Sequence, residues 1–505
     1  MQGINLYTKD FGLGVSPPDT GNRIFIVGGT LGPFNGGIAD ALTSRTPGDF
    51  RSAGGVTKAT EAAALAVQST GAAVTLIGFD GATTAASANF FQSRAAGSVM
   101  TTQLTVSLSA PVPDDLCVNV QFLSAGTVGT VGLQYRLTLD GGQNWSATKS
   151  LGTATTISLA PYAQSLVLAA GEVIPVLCSI AVVTYAGIGG ANALSAIVSA
   201  INSALPGDAI YLASNESNAT VASACALVLA AESQNRNMDL ITEVRDIDHT
   251  GVESGSTWAG AAVVQASHTV NRIWAPMPGH YPTPGAFADS STPRRSLALH
   301  LALRYLLNSE HADPARVSAG RSSILTAIPT TPIPAGVDRV MRAPGAAFDP
   351  EYLHDERARP VFDAAGIGSA ATLVDLTGFY FYNARLRSAP GSDFDLVQIS
   401  RVVHKARRLA YRALTRYLHE EILVDEVTGL ISEGDAATKD AQVQQQLVDG
   451  ITSKGNASKV TFHFSRTDNV LSTKAINSSI GVVPRGYLKT INCEVSLVNP
   501  ALATG

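Results

Sequence analysis

The chain has 505 residues, of which 45% are hydrophobic and only 15% are charged, and its formal net charge is −5. This length exceeds what one hydrophobic core usually supports, and it predicts roughly three domains. The charged fraction lies well below the ~25% usual for soluble domains, which suits a chain whose surface is largely covered by copies of itself or by partners. The slightly acidic charge argues against binding to nucleic acid or to an anionic membrane.

The cysteine pattern argues against a disulfide framework and against a zinc site, because the four residues lie far apart and lack paired spacing. They are predicted to be small core residues in a reducing compartment. The N-terminus contains no basic segment followed by an apolar run, so we expect no secretory signal peptide. The four cysteines are Cys117, Cys178, Cys225 and Cys493.

Residues 173–191 carry no charge over a length that could nearly cross a bilayer. They contain Pro175 and three glycines, and no Lys or Arg occurs between Lys149 and Arg236 to orient a membrane span. The segment is therefore predicted to be buried β-structure.

The chain is predicted to begin with an extended arm, residues 1–22, because Ile4 and Leu6 alternate with polar neighbours before several Gly and Pro residues. An α/β scaffold follows in residues 23–80. Its predicted elements are a short strand at 24–27, a helix with an alanine face at 57–68 and a strand at 73–77.

Residues 81–190 change to short strands with period-2 alternation, and we read them as a β-rich insertion. The sequence LTLDGG at 137–142 predicts a hairpin within it.

The scaffold resumes in residues 191–365. Helices are predicted at 191–205, 219–231 and 295–307, and strands at 209–213 and 238–244. Loops rich in Pro, Gly and Ala are expected at 275–295 and 328–366.

The last part, residues 366–505, has the clearest patterns. A strand is predicted at 373–382, a long amphipathic helix at 399–418, and a more polar helix at 437–448. Val460, Phe462 and Phe464 alternate with polar residues and predict a strand, and a final strand is predicted at 487–498. The predicted fold class is therefore multidomain α/β (α+β).

The glycines after the first strand invite a dinucleotide-binding interpretation. The G-x-G-x-x-G register fails, because it would need glycine at Val27, and the residues after Gly32 open a loop rather than a helix. A tight turn at Gly28 is predicted instead.

Residues 450–457 approach a P-loop, but Asn456 occupies the position of the phosphate-binding Lys and Ala457 that of the Mg²⁺-binding hydroxyl. Nucleophile-elbow and zinc-helix motifs do not occur in the sequence. We therefore predict a protein that is not an enzyme, with no catalytic residue, no cofactor and no metal.

A basic ridge is predicted along the long helix, opposite its apolar stripe, because five cations recur at intervals of four, three, four and four residues. We expect the ridge to attach to an acidic partner surface. The alternatives are a solvated helix face, or pairing with nearby carboxylates such as Asp425, Glu426 or Asp435. The ridge consists of Arg401, Lys405, Arg408, Arg412 and Arg416.

Several sequence segments, taken together and in this order, resemble the tail sheath proteins of contractile-tailed phages, in particular a Mu-like branch of the contractile injection system sheaths. The resemblance covers the N-terminal strand and the C-terminal third, and leaves the middle unmatched. The segments are IFIVG (24–28), GPFN (32–35), GFYFYNAR (378–385), APGSDF (389–394), ISRVV (399–403), TGLISEGDA (428–436) and GYLKTIN (486–492).

The resemblance implies a structural subunit that polymerises as stacked six-subunit rings around a tail tube and contracts to drive the tube through the host envelope. It implies contacts with itself, the tail tube protein, and the baseplate and tail terminator proteins, in a virion assembled in the host cytoplasm. The 366–505 domain would face the tube, and the insertion would lie outside.

In this family the N-terminal arm and a C-terminal segment add strands to sheets of neighbouring subunits. A short apolar arm without its own core fits that role, because only another sheet edge can complete its hydrogen bonds. The residues expected to take part are Ile4, Leu6, Tyr7, Tyr487, Leu488, Ile491, Val495 and Leu497.

Two other classes remain open. A β-rich tail component such as an adhesin would also be non-catalytic, but it should lack the C-terminal helix and strand order. An α/β nucleotide-binding enzyme would use the Gly28 turn.

Overall fold

The computed structural model describes residues 23–31, 40–80, 90–243, 273–276, 280–282, 294–316, 367–386 and 393–487. Short gaps within these ranges fall at 96–97, 111–113, 115, 140–144, 161, 163, 185–188, 204–206, 215, 374–375 and 384. The described residues form helices and mixed sheets, which confirms the predicted fold class. The N-terminal arm at 1–22 lies outside them.

The first described segment forms the predicted β-α-β unit. The Thr57 side chain caps its second helix by accepting a hydrogen bond from the backbone N–H of Thr60. Gly71, whose φ is +64°, is the C-cap of this helix. The elements are β1 (Ile24–Thr30), β2 (Asp40–Ser44), α1 (Pro47–Gly54), α2 (Lys58–Thr70) and β3 (Val74–Asp80).

The prediction of a tight turn at Gly28 is wrong, since this glycine lies within β1. A Cβ at Gly28 would stand 2.6 Å from the Cβ of Ala59 in α2. Glycine is used here because it lets the helix approach the strand closely.

The next segment is strand-rich and has its own apolar core, formed by alternating residues such as Val118, Val120, Ile180 and Val182. Strands on both sides of the predicted hairpin turn pair antiparallel, although residues 140–144 lie outside the described part. The strands are β4 (Phe90–Ala95), β5 (Ser98–Val99), β6 (Val106–Leu108), β7 (Leu116–Phe122), β8 (Gly126–Thr127), β9 (Gln134–Thr138), β10 (Lys149–Ser150), β11 (Thr156–Ser158), β12 (Ser165–Leu168), β13 (Val173–Ile174) and β14 (Ser179–Thr184).

The scaffold then continues with alternating helices and strands. Its elements are α3 (Ala191–Ile201), β15 (Ala209–Leu212), α4 (Asn218–Glu232), β16 (Asp239–Ile241), β17 (Ile273–Pro276), β18 (His280–Pro282), β19 (Arg294–Ser296), α5 (Leu297–Leu307), β20 (Ile367–Leu373) and β21 (Leu376–Asn383).

These strands complete one central sheet, in the order β2-β3-β1-β15-β16-β17-β20-β21. Its inner strands are parallel, and β2 and β21 join the two edges antiparallel. Alternate residues of β1 point to opposite apolar layers: Ile24 and Ile26 pack with α2 and α5, whereas Phe25 and Val27 pack with α3 and α4. The strand predicted at 373–382 thus extends the scaffold sheet.

The C-terminal part packs two helices against a two-stranded sheet. The predicted amphipathic helix is confirmed, with Val402, Ala406 and Ala410 buried against Val443 and Phe462. A 3₁₀ turn, Thr415–Tyr417, follows it. The elements are α6 (Val397–Leu414), α7 (Glu433–Leu447), β22 (Lys459–Phe464), α8 (Val470–Thr473) and β23 (Ser478–Val483).

The strand predicted at 487–498 falls almost wholly outside the described residues. Tyr487 lies outside any strand, residues 488–505 lie outside the described part, and β23 pairs with β22. The sequence pattern of β23 is weak because it starts with two serines and contains Gly481.

Candidate interaction surface

The basic side of α6 faces the scaffold. The side chain of Arg401 is 1% exposed, and its guanidinium lies 4.4 Å from the ring centroid of Tyr305. Its Nη2 donates to the Tyr305 carbonyl oxygen at 2.9 Å and lies 4.0 Å from the carboxylate of Asp208. Arg401 is therefore an internal contact between α6 and the scaffold.

Lys405 is paired in the same way. Its Nζ donates to Oε1 of Glu310 at 2.9 Å, and both side chains are buried. The other carboxylate oxygen of Glu310 accepts from the Asn456 amide at 3.2 Å. This network joins α6, the segment after α5 and the loop before β22.

The next cation in the series, Arg408, lies 2.6 Å from Oδ1 of Asp208, and its side chain is 12% exposed. The prediction of an exposed ridge is therefore wrong for Arg401 and Lys405 and largely wrong for Arg408. Their carboxylate partners belong to the scaffold rather than to the three acids weighed from the sequence. Arg412 is half-buried and Arg416 is exposed near the end of the helix.

A buried carboxylate, Asp239, lies beneath α6 at the start of β16. It accepts hydrogen bonds from the hydroxyls of Tyr305 and Ser400, each at 3.0 Å, and His404 Nδ1 lies 3.8 Å away. Burial raises the pKa of Asp239 to about 7, against the opposing effect of these hydroxyls. The site thus holds a buried carboxyl group whose pKa lies near neutral and whose hydrogen bonds connect β16 with α5 and α6.

A cleft of about 320 Å³ opens beside this junction, at the amino ends of β15 and β16. Cations line it from two sides: Arg236 from the loop after α4, and Arg408 and Arg412 from α6. Tyr411, which is 51% exposed, and the buried Asn237 also contribute to its walls. The arrangement can accept carboxylates and an apolar group, and it is called the basic cleft below.

A second surface feature is the sheet of β22 and β23. The outer edge of β22 is covered by α7, since the Val460 carbonyl accepts from Gln444 Nε2 at 2.6 Å and the Phe464 N–H donates to Asp440 at 2.8 Å. In an antiparallel pair, residues that point outward alternate with residues that bond across the ladder. The register therefore assigns the odd-numbered residues of β22 to the bonds with β23.

The same register directs the backbone groups of Ser478, Ile480 and Val482 away from β22. Within the described part of the chain, no third strand pairs with this edge. It is called the open edge of β23 below.

The strand-exchange residues predicted from the sequence are mostly outside the described ranges. Tyr487 is described, and its hydroxyl donates to the carbonyl of His311 at 2.9 Å within the same subunit. Burial raises the pKa of this tyrosine to about 12. This contact within the subunit does not test strand exchange, which stays a prediction for Tyr487. The residues outside are Ile4, Leu6, Tyr7, Leu488, Ile491, Val495 and Leu497.

The sequence reasoning missed the acidic residues that lie beneath α6. Asp208 and Asp239 each stand at the start of a short apolar strand, and a buried acid at such a position needs a partner. In the described residues, no cluster of three or more His, Cys, Asp or Glu could hold a metal ion, and no helix is long and apolar enough to cross a membrane.

Residues 393–502 match the family model described as "DUF2586, C-terminal domain", a range that contains α6 to α8 with β22 and β23. No curated protein sequence matches the chain.

Among solved structures, the chain is similar to the helical sheath of the anti-feeding prophage (AFP) in its contracted state, at 10% identity and a TM-score of 0.48, over 95% of this chain and 94% of that chain. A sheath tail protein from Listeria innocua is 11% identical with a TM-score of 0.42, over 96% of this chain and 99% of that chain. One from Desulfitobacterium hafniense is 10% identical with a TM-score of 0.41, over 93% and 98%. At these low identities the likenesses assign no activity or partner to this chain.

Proposed function

We propose that the chain is the structural subunit of a contractile tail sheath of the Mu-like type, which polymerises as stacked hexameric rings around a tail tube. Contraction of this polymer drives the tube through the host envelope. The order of the sequence motifs in the N-terminal strand and the C-terminal third supports the proposal.

The open edge of β23 is the structural observation that carries the proposal. A two-stranded sheet with an unpaired edge is a template for a strand from another chain. The tail sheath resemblance implies that the arm at 1–22 and a C-terminal segment that includes Tyr487 add strands to sheets of neighbouring subunits. The open edge of β23 is the acceptor that we propose for one of them.

The partners follow from the proposed role: other copies of the chain, the tail tube protein, and the baseplate and tail terminator proteins of a virion assembled in the host cytoplasm. Attachment to an acidic tube surface, as expected for the ridge from the sequence, does not extend to Arg401, Lys405 and Arg408, because these three cations are paired inside the subunit. The strand-rich insertion would lie on the exterior.

Substitution of Ser478→Pro with Val482→Pro tests the open edge. Proline removes N–H groups that point away from β22, so the internal ladder is retained while strand addition is blocked. The control is Ser478→Ala with Val482→Ala, which loses the same side chains but keeps both N–H groups.

Negative-stain electron microscopy of the purified wild-type protein should show hollow helical tubes. The alanine control should form them as well, and the proline variant should remain unassembled with an unchanged circular dichroism spectrum. A wild-type protein that stays monomeric at high concentration, or a proline variant that still forms tubes, would contradict the proposal.

A further inference from the structure

The connection between α6 and α7 is an ordered hairpin, defined here as residues 418–431 and called the acidic hairpin. Val424 and Ile431 form an antiparallel bridge, and the Asp425 N–H donates to the Leu430 carbonyl at 2.8 Å. The Asp425 carboxylate accepts from the N–H of Thr428 at 2.8 Å and holds the turn. This projection has a definite shape.

Its surface is apolar and acidic together. Leu418, Leu423 and Val427 are 67%, 72% and 90% exposed, which leaves large aliphatic groups in water beside four carboxylates. A cluster of exposed aliphatic side chains on an ordered segment is typical of a contact site.

Two of the four carboxylates already have a partner within the subunit. Glu420 lies 3.2 Å from Nζ of Lys439, and Asp425 is used in the turn. Glu421 and Glu426 make no ion pair with any described residue of the chain, and both are exposed. They are the charges available to another molecule.

The basic cleft has the complementary set of groups. Arg236 and Arg412 present positive charge at its walls, and Tyr411 presents a half-exposed ring. Arg408 Nη1 and Asn237 Oδ1 are buried at the cleft and have no hydrogen-bond partner in the described part of the chain. A bound polypeptide could satisfy both groups, because its backbone carries C=O groups for the donor and N–H groups for the acceptor.

The position of the cleft also favours a protein occupant. Small ligands of open α/β sheets bind outside the carboxyl ends of the strands. This cleft lies at the amino ends of β15 and β16, next to the last turns of α6.

We infer that the acidic hairpin of one copy of the chain docks in the basic cleft of a second copy. Glu421 and Glu426 then face Arg236 and Arg412, and Leu423 packs on Tyr411. In its own subunit the hairpin leaves both Tyr411 and Leu423 exposed, so it does not fill its own cleft. Such a contact between two different surfaces is of the kind that builds rings and helical filaments, and it is separate from strand addition at β23.

Two charge-reversed proteins test the contact. The cleft variant carries Arg236→Glu and Arg412→Glu, and the hairpin variant carries Glu421→Arg and Glu426→Arg. Arg408 stays unchanged because it is paired with Asp208. A control with Arg45→Glu and Lys459→Glu, both exposed residues that belong neither to the hairpin nor to the cleft lining, makes the same change in charge as the cleft variant.

Self-association of the full chain is measured by sedimentation velocity, and thermal melting checks the fold. Each variant alone should self-associate about tenfold or more weakly than wild type, because like charges then face each other. An equimolar mixture of the two variants should recover association, since every hairpin again meets a cleft of opposite charge.

Three results would overturn the inference: unchanged self-association of either variant, loss of association that mixing does not restore, or loss of tube-protein binding by the cleft variant with its self-association intact. The last result would assign the cleft to the tube. Failure of the proline test at β23 with success of this one would refute strand addition at that edge while leaving the hairpin contact standing.

Discussion

Replacement of Asp239 by Asn should remove a large part of the pH dependence of folding stability. The pKa of this carboxyl is raised from 3.8 to about 7 in the folded protein, chiefly by burial. The folded state therefore holds a proton that the unfolded state has already released above pH 3.8. The contribution of this carboxyl to the free energy of unfolding is therefore greatest below pH 3.8. It decreases as the pH rises and becomes constant above pH 7.

The magnitude follows from the shift of about 3 pKa units, which corresponds to ~4 kcal/mol in total, with about 2 kcal/mol of it between pH 5 and 7. Asn retains the shape, and the hydroxyls of Tyr305 and Ser400 can each donate to its oxygen or accept from its amide. The variant should consequently lose this decline and be at least as stable as wild type at pH 8.

Chemical denaturation of both proteins, from pH 5 to 8, measures the effect as the difference between their free energies of unfolding. Asp449→Asn, a change at an exposed carboxyl, is the matched control and should follow wild type throughout. Parallel pH profiles for wild type and Asp239→Asn would refute a neutral buried carboxyl at this position.

Three further predictions concern contacts inside and between subunits. Lys405→Ala should destabilise the fold by about 3–5 kcal/mol, because Glu310 is left as a buried charge without its partner. Adding Glu310→Gln should recover part of this free energy of unfolding in a denaturation experiment. A double variant no more stable than Lys405→Ala would contradict the ion pair. Gly28→Val should lower the free energy of unfolding by about 1–3 kcal/mol or more, because the valine side chain would collide with α2. Gly48→Ala should leave it unchanged, because the space around Gly48 is open. Equal melting temperatures of the two variants would contradict the packing explanation. Deletion of residues 2–20 should abolish tubes seen by electron microscopy with little change in melting, and a collapse in melting would place the arm in the core of its own subunit.

The candidate surface was only partly predictable, and α6 shows why. Its spacing correctly separated an apolar side from a basic side, since both follow from helical geometry. Whether the basic side meets water or carboxylates depends on distant residues: Glu310, the partner of Lys405, stands 95 positions earlier in the chain. Helical periodicity carries no information about such a partner.

The open edge and the basic cleft were invisible for a similar reason. β23 has an exposed, serine-rich start, so its pairing with β22 becomes evident only from the ladder. The cleft joins Arg236 with Arg412, which are brought together by the packing of α6 across the amino ends of the strands. Its charge is therefore a property of the tertiary structure.

By itself the sequence determined the elements whose causes are local: the Thr57 cap of α2, the alternating strands of the insertion and the apolar stripe of α6. These depend on backbone geometry and on side chains a few residues apart. Only the tertiary structure decided which charged side chains form ion pairs inside the subunit and which are exposed. The reason is that the free energy of an ion pair depends on burial and on the identity of the neighbouring group. For the same reason Arg401 and Lys405 hold the subunit together, while Glu421 and Glu426 are exposed and lie where another chain can reach them.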